Sequence, residues 1–171
     1  MAKSKKLSAS EYMNKLYKEL EIYAHTYAYT YCKEGEKELV KTARYAIEQF
    51  YAQYGPNNGK PWFYDRTGNL KKSVIPYFKD NGSRCYGGVK ISSEEMNRYN
   101  PNGKGTDPFE VLEFAVHGWH GHPIRDIWTS PTILEIVKER RNDEKLQKEL
   151  AEKARNAAKS QPYKILSRFF K

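Results

Sequence analysis

The stretch Val74-Ile-Pro-Tyr-Phe-Lys-Asp-Asn-Gly-Ser-Arg-Cys-Tyr-Gly-Gly-Val-Lys-Ile91 decides the fold class. Val74 to Phe78 is rich in residues that favour strands, and Asp80-Asn81-Gly82 is a hairpin-turn signature. Cys85 to Ile91 reads as the returning strand. Pro76 lacks a backbone N–H, which places its strand at an edge. Gly87-Gly88 marks a bulge or a close approach of another backbone. Immediately upstream, Asp65 to Ser73 reads as a turn leading into one short helix. Within it Thr67 caps the turn, Gly68 admits a neighbouring backbone and Leu70 anchors the turn in the core. Ser73 satisfies a backbone group ahead of the strand. The pattern serves structure and carries no chemistry.

Helical patterns flank this hairpin on both sides. Ser8-Ala-Ser10-Glu11 has the spacing of a capping box, so a helix starts there. Its apolar stripe runs Tyr12, Leu16, Leu20, Tyr23, Tyr27, Tyr31 in steps of four and three. After Lys33-Glu34-Gly35-Glu36 a second stripe runs Leu39, Ala43, Ala46/Ile47, Phe50, Tyr54, pointing well away from the first. Either the chain kinks or breaks near Gly35, or one long helix meets different partners along its length; the reading favours the kinked or broken pair. Gly55 to Pro61 is a strong stop, and Trp62-Phe63-Tyr64 an aromatic anchor. Asp107-Pro108-Phe109-Glu110 opens a short helix, and the glycine- and proline-bearing His117 to Ile124 is a loop. Ser130-Pro131 opens a last long helix with apolar positions Ile133, Ile136/Val137, Leu146, Leu150, Ala154 and Ala157/Ala158. Gln161-Pro162 ends it.

The expected fold class is therefore α+β: long N- and C-terminal helices packed around a small antiparallel β-sheet. Residues 1–7 form a disordered basic arm. Residues 8–160 form a single domain, helical over 8–54, hairpin-bearing over 62–92 and helical again over 107–160. Residues 161–171 are an aromatic tail that docks on the core or on a neighbour.

Composition bounds the partners. The chain of 171 residues carries 30 Lys+Arg against 21 Asp+Glu, a net charge of +9. With Gly counted in place of Tyr the apolar share is roughly 37%, against a usual ~45–50%, so the core is modest and neighbours can complete it. A mean hydropathy of −0.90 and the lack of a long apolar run exclude a membrane span. Leu7 to Leu20 is too polar for the apolar part of a signal peptide. The two cysteines, Cys32 and Cys85, read as reduced thiols. Nine of the 14 tyrosines fall in the first 54 residues, a bias that suits partly wet interfaces. The positive charge suits a polyanion, but the basic residues cluster only at Lys3–Lys6, Lys71–Lys72 and Arg140–Arg141.

Catalytic patterns are sparse. His117, His120 and His122 lie within six residues of a Gly-rich loop, a grouping able to hold a transition metal. No helical His-Glu-x-x-His and no paired carboxylates accompany them. There is no Gly-x-Ser-x-Gly elbow and no phosphate-cradling Gly-x-x-x-x-Gly-Lys-Ser/Thr. The chain reads as a non-enzyme without cofactors, the three-histidine metal site being the alternative.

Taken together, the order of features resembles the neck and tail-completion (head–tail joining, minor tail component) proteins of tailed bacteriophages. The resemblance rests on Thr67-Gly68-Asn69-Leu70-Lys71-Lys72-Ser73-Val74 and, more weakly, on Leu112-Glu113-Phe114-Ala115-Val116-His117-Gly118 with the later Pro123 and Ser130-Pro131. It covers roughly residues 36–158. Ala115 departs from the glycine of that family's pattern, and the His-rich loop is no feature of it. The resemblance implies a virion structural protein, made in the host cytoplasm, forming a ring around the DNA channel at the head–tail connection. Its partners would be copies of itself, neighbouring connector, portal-side and tail proteins, and packaged DNA bound without sequence preference. Tyr17, Tyr29, Phe169 and Phe170 are the candidate interface residues, and Lys71 and Lys72 candidates to face the DNA. A non-specific nucleic-acid-binding protein and a metal-dependent hydrolase built on His117, His120 and His122 are the alternatives.

Overall fold

The computed structural model describes residues 7–52, 69–92, 94 and 133–170. Residues 1–6 of the basic arm expected over 1–7, the loop and aromatic anchor at 53–66, Thr67 and Gly68, the side chain of Leu70, and everything inferred for 95–132 lie outside the described residues. That last segment includes the Asp107 helix start, the three-histidine loop and the Leu112–Gly118 stretch.

Helix α1 spans Ala9–Ala52, roughly 66 Å at 1.5 Å per residue. The expected capping box starts it. Ser8 Oγ accepts the N–H of Glu11 at 3.2 Å, and the Glu11 carboxylate accepts the N–H of Ser8 at 2.8 Å. The Ser8 N–H, together with the Ser8 hydroxyl, which donates to the same carboxylate at 2.9 Å, holds the Glu11 carboxyl below its ordinary pKa.

The break favoured at Gly35 is corrected: α1 runs through it without interruption. Gly35 is where another helix comes close, since a Cβ there would lie 3.6 Å from Leu150 Cδ1. The two stripes differ in direction because the partner changes. Tyr27 and Ala43 point about 160° apart on an ideal helix; Tyr27 borders the C-terminal helix and Ala43 lies in the hairpin-side core.

The short helix α2 (Asn69–Ser73) leads directly into the hairpin of β1 (Val74–Asp80) and β2 (Cys85–Ile91). The strands pair in unbroken register from Val74↔Ile91 to Asp80↔Cys85, so Gly87-Gly88 makes no bulge. The other reading of that pair holds: a Cβ on Gly87 would fall 2.3 Å from the Cys32 carbonyl oxygen on α1. In the turn, Gly82 takes φ +76° and the Asp80 carboxylate accepts its N–H at 2.8 Å, the local bond for which Asp is favoured there. Register partners share a face. Val74, Phe78, Asp80, Cys85, Gly87, Val89 and Ile91 therefore lie on the face turned to α1, and Ile75, Tyr77, Lys79, Tyr86 and Lys90 on the opposite one.

The last helix is also corrected. It is two helices, α3 (Ile133–Asn142) and α4 (Glu144–Lys159), separated at Asp143. Asp143 adopts an extended conformation and its side chain accepts the N–H groups of Lys145 and Leu146, making it the N-cap of α4. The expected apolar stripe has no member between Val137 and Leu146, and the break falls in that gap. The buried positions of α4 are Leu146, Leu150, Ala154 and Ala158, an unbroken i, i+4 row. Burying each leucine is worth ~1.5–3 kcal/mol, and the two alanines let the backbones approach. α4 runs antiparallel to α1: Leu150 sits beside Gly35, Lys153 pairs with Glu34 at 3.6 Å, and Tyr163, just beyond the helix, meets Tyr23.

Two apolar clusters result. One comprises Ala43, Ala46, Ile47 and Val74, with Val40, Val89, Ile91, Ile136 and Val137 packed on it. The other joins the α4 row to the buried Tyr163, Ile165 and Leu166 of the tail. This is the α+β arrangement expected, with α1 in contact with every other described element. No described helix is long and apolar enough to cross a membrane.

The hairpin's seat on α1 is tested by paired substitutions. Gly87→Ala forces the strand off the Cys32 carbonyl and should destabilise by ~1–3 kcal/mol, read as a lower denaturation midpoint. Gly88→Ala, whose Cβ meets nothing within 4 Å, should leave the midpoint nearly unchanged.

Candidate functional site

Exposed aromatic and apolar residues fall along α1, where Ile22 and Tyr45 are among them, on the hairpin and at Phe169; two groups of them share a face. On the N-terminal third of α1, Met13, Tyr17 and Leu20 follow a four-three spacing that puts them on one stripe, all of them exposed and Tyr17 to 58%. On the outer face of the hairpin, Tyr77 and Tyr86 are exposed. They are diagonal neighbours, since Lys79 is opposite Tyr86 and the side-chain-free Gly88 is opposite Tyr77. Lys79 and Lys90 on the same face are exposed as well.

The four candidate interface residues divide. Tyr17 is exposed as expected. Tyr29 is also exposed, at 40%, while one side of its ring meets Phe78 edge-on at 5.0 Å, and Lys33 lies over the Phe78 ring, 4.3 Å from its centroid. Phe169 is 64% exposed. Phe170 packs internally, 5.5 Å from Tyr23 and 5.8 Å from Tyr163 between ring centroids.

The tail thus folds back on α1, and a carboxylate holds it there. Glu19 accepts the N–H groups of Lys164, Ile165 and Leu166 at 2.9, 2.9 and 2.7 Å. The three donors open the short 3-10 helix η1 (Leu166–Phe169), so Glu19 supplies from another element the acceptor that a local cap gives elsewhere. The same bonds, that of Leu166 foremost, hold the Glu19 carboxyl below its ordinary pKa.

Of the basic pair, Lys72 is exposed and the Lys71 ammonium pairs with Glu48. Ser73 is fully buried at the junction of α2 and β1, where its carbonyl accepts the N–H of Ser92 at 2.8 Å. Cys32 and Cys85 are both free thiols. Burial pushes both thiols up, with Asp80 adding to the effect at Cys85, which leaves them weak nucleophiles. His117, His120 and His122 lie outside the described residues.

The outer-face tyrosines of the hairpin were missed as interface candidates. Their signal was the alternation of Ile75, Tyr77, Lys79 against Val74, Phe78, Asp80, which separates the faces once the α1-facing side is known. No protein family, curated protein or solved structure matches the chain.

Two predictions concern the tail. Because the Glu19 carboxyl is lowered in the folded state, its contribution is present above the ordinary carboxylate range and is lost as pH falls through the folded value. Amide hydrogen exchange at residues 164–166, corrected for intrinsic rates, should lose protection on that acid side and, in Glu19→Gln, show reduced protection already at neutral pH. The Tyr163 hydroxyl is buried without a hydrogen-bond partner among the described residues. Tyr163→Phe removes that unsatisfied group and should be neutral or stabilising by up to ~1 kcal/mol in thermal unfolding.

Proposed function

We propose that this chain is a structural component of a tailed-phage virion, a neck or tail-completion subunit that assembles with its own copies into a ring around the DNA channel and has no catalytic role. The observation that carries the reading is the presence, on different elements, of two separate exposed apolar groups that each contain tyrosine. A ring built by rotation is joined head to tail, so each subunit needs two different patches, one for each neighbour. The Met13–Tyr17–Leu20 stripe and the Tyr77/Tyr86 face meet that requirement, and Phe169 adds an exposed ring. A self-complementary dimer would need one patch only.

Further support comes from the sequence. The Thr67-to-Val74 segment resembles the corresponding segment of that phage family, and its last residues form the junction between α2 and the hairpin. The excess of positive charge suits a subunit that borders packaged DNA without reading its sequence, and Lys72 is an exposed cation available for that contact.

The reading is tested by assembly. Native mass spectrometry of the full chain, alone and mixed with purified connector complexes, should show a closed oligomer. Tyr17→Glu and Tyr86→Glu should each abolish it while leaving the helical circular dichroism intact. Purified particles should contain the chain in a copy number matching a ring. A protein that stays monomeric with connectors present and is absent from particles is not such a subunit.

A further inference from the structure

At the turn end of the hairpin three metal-ligating side chains meet. His25 comes from α1, Asp80 from the last position of β1 and Cys85 from the first of β2; their ligand atoms all lie within 4.8 Å of one another. His25 Nε2 is 3.0 Å from one Asp80 carboxylate oxygen and 3.2 Å from the other. Asp80 and Cys85 are register partners, so both occupy the face turned to α1. His25 stands one helical turn before Tyr29, which meets Phe78 on that face, so the helix brings its imidazole to the strand ends.

We propose that His25, Asp80 and Cys85 form a zinc site that clips the hairpin to α1. One imidazole nitrogen, one carboxylate oxygen and one sulfur make a donor set suited to zinc and unsuited to calcium or magnesium, which take oxygen ligands. Edges of a zinc tetrahedron with these donors are roughly 3.3–3.8 Å. The triad therefore closes by side-chain adjustments on the order of 1 Å, with water at the fourth, outward position.

Binding is a simple exchange. Cys85 gives its thiol proton to solvent and its sulfur bonds to the metal, and His25 binds as the neutral imidazole in place of its bond to Asp80. No redox change is involved. The thiolate and the carboxylate together balance the dication. The Gly82 N–H already orients the Asp80 carboxylate from behind, the outer-shell support that ligating carboxylates use. Cys32 stays out of the triad, its thiol donating instead to the Cys85 carbonyl at 3.3 Å. The site uses none of the three clustered histidines and does not depend on the assembly reading.

The test uses the reduced, metal-stripped full chain carrying His117→Ala, His120→Ala and His122→Ala, so that the other histidines cannot contribute. Zinc titrated against a chromophoric chelator should give one equivalent, and cobalt should give the visible bands of a tetrahedral centre with a thiolate-to-cobalt charge-transfer band. His25→Ala and Cys85→Ser should each weaken binding at least ~10-fold, and Cys32→Ser should retain it. Circular dichroism confirms that each variant keeps its helices. No stoichiometric zinc, no charge-transfer band in the unsubstituted triad, equal binding in Cys85→Ser, or loss confined to Cys32→Ser would each overturn the site.

Discussion

A helix of 44 residues is not held in water by its own hydrogen bonds alone; most helical stability comes from packing of an apolar face. α1 has no single apolar face. It has one flank for the hairpin and α3, another for α4 and the tail, and the two are offset around the axis as well as along it. Everything else follows from covering those flanks. The hairpin seats on the stretch from His25 to Ile47, while α3, α4 and the tail run back along α1 from the Ala43–Ile47 region to Glu19. The two coverings meet near Gly35, which has space for Leu150 and no conformational demand.

Much of this was legible in the sequence where the signal was local. The Ser8–Glu11 cap, the Asp80–Gly82 turn, the two strands and the α+β class are each written in a few adjacent residues, and they formed as their chemistry dictates. The misreadings share a cause. At Gly35 a helix-weakening residue coincided with a change of stripe direction, and the sequence does not say whether such a change marks a break or a change of partner. Tertiary packing chose the partner. At Asp143 the opposite happened: a run of good helix formers concealed an N-cap, because Asp in a charged stretch looks like one more solvent-facing carboxylate. Glu19 and the His25–Asp80–Cys85 meeting were not readable at all. Their partners are 145 to 147 residues away for Glu19 and 55 for His25 to Asp80, and nothing local marks either one.

The tail shows how the modest apolar content is used. Its inward residues, Tyr163, Ile165, Leu166 and Phe170, spend their surface on the chain's own helix, and Glu19 fixes the backbone that presents them. Phe169, on the same short turn, is thereby left pointing outward. A docked tail is a better contact element than a loose one, because its ordering cost has been met before any neighbour arrives.

The same argument applies with more force to the hairpin. Two strands alone are marginal in water, so this pair owes its orientation to α1. At one end Val74 is buried in the Ala43–Ile47 cluster. In the middle the missing Cβ of Gly87 lets β2 rest against the Cys32 carbonyl. At the far end the contact is polar, His25 to Asp80, and partly exposed to solvent; an exposed pair of this kind adds little rigidity. The outer tyrosines sit at the middle and far end, on Tyr77 and Tyr86. The angle at which they meet a neighbour is therefore set by the weakest of the three attachments, and a ligand that strengthens His25–Asp80–Cys85 would stiffen the outer face without touching it.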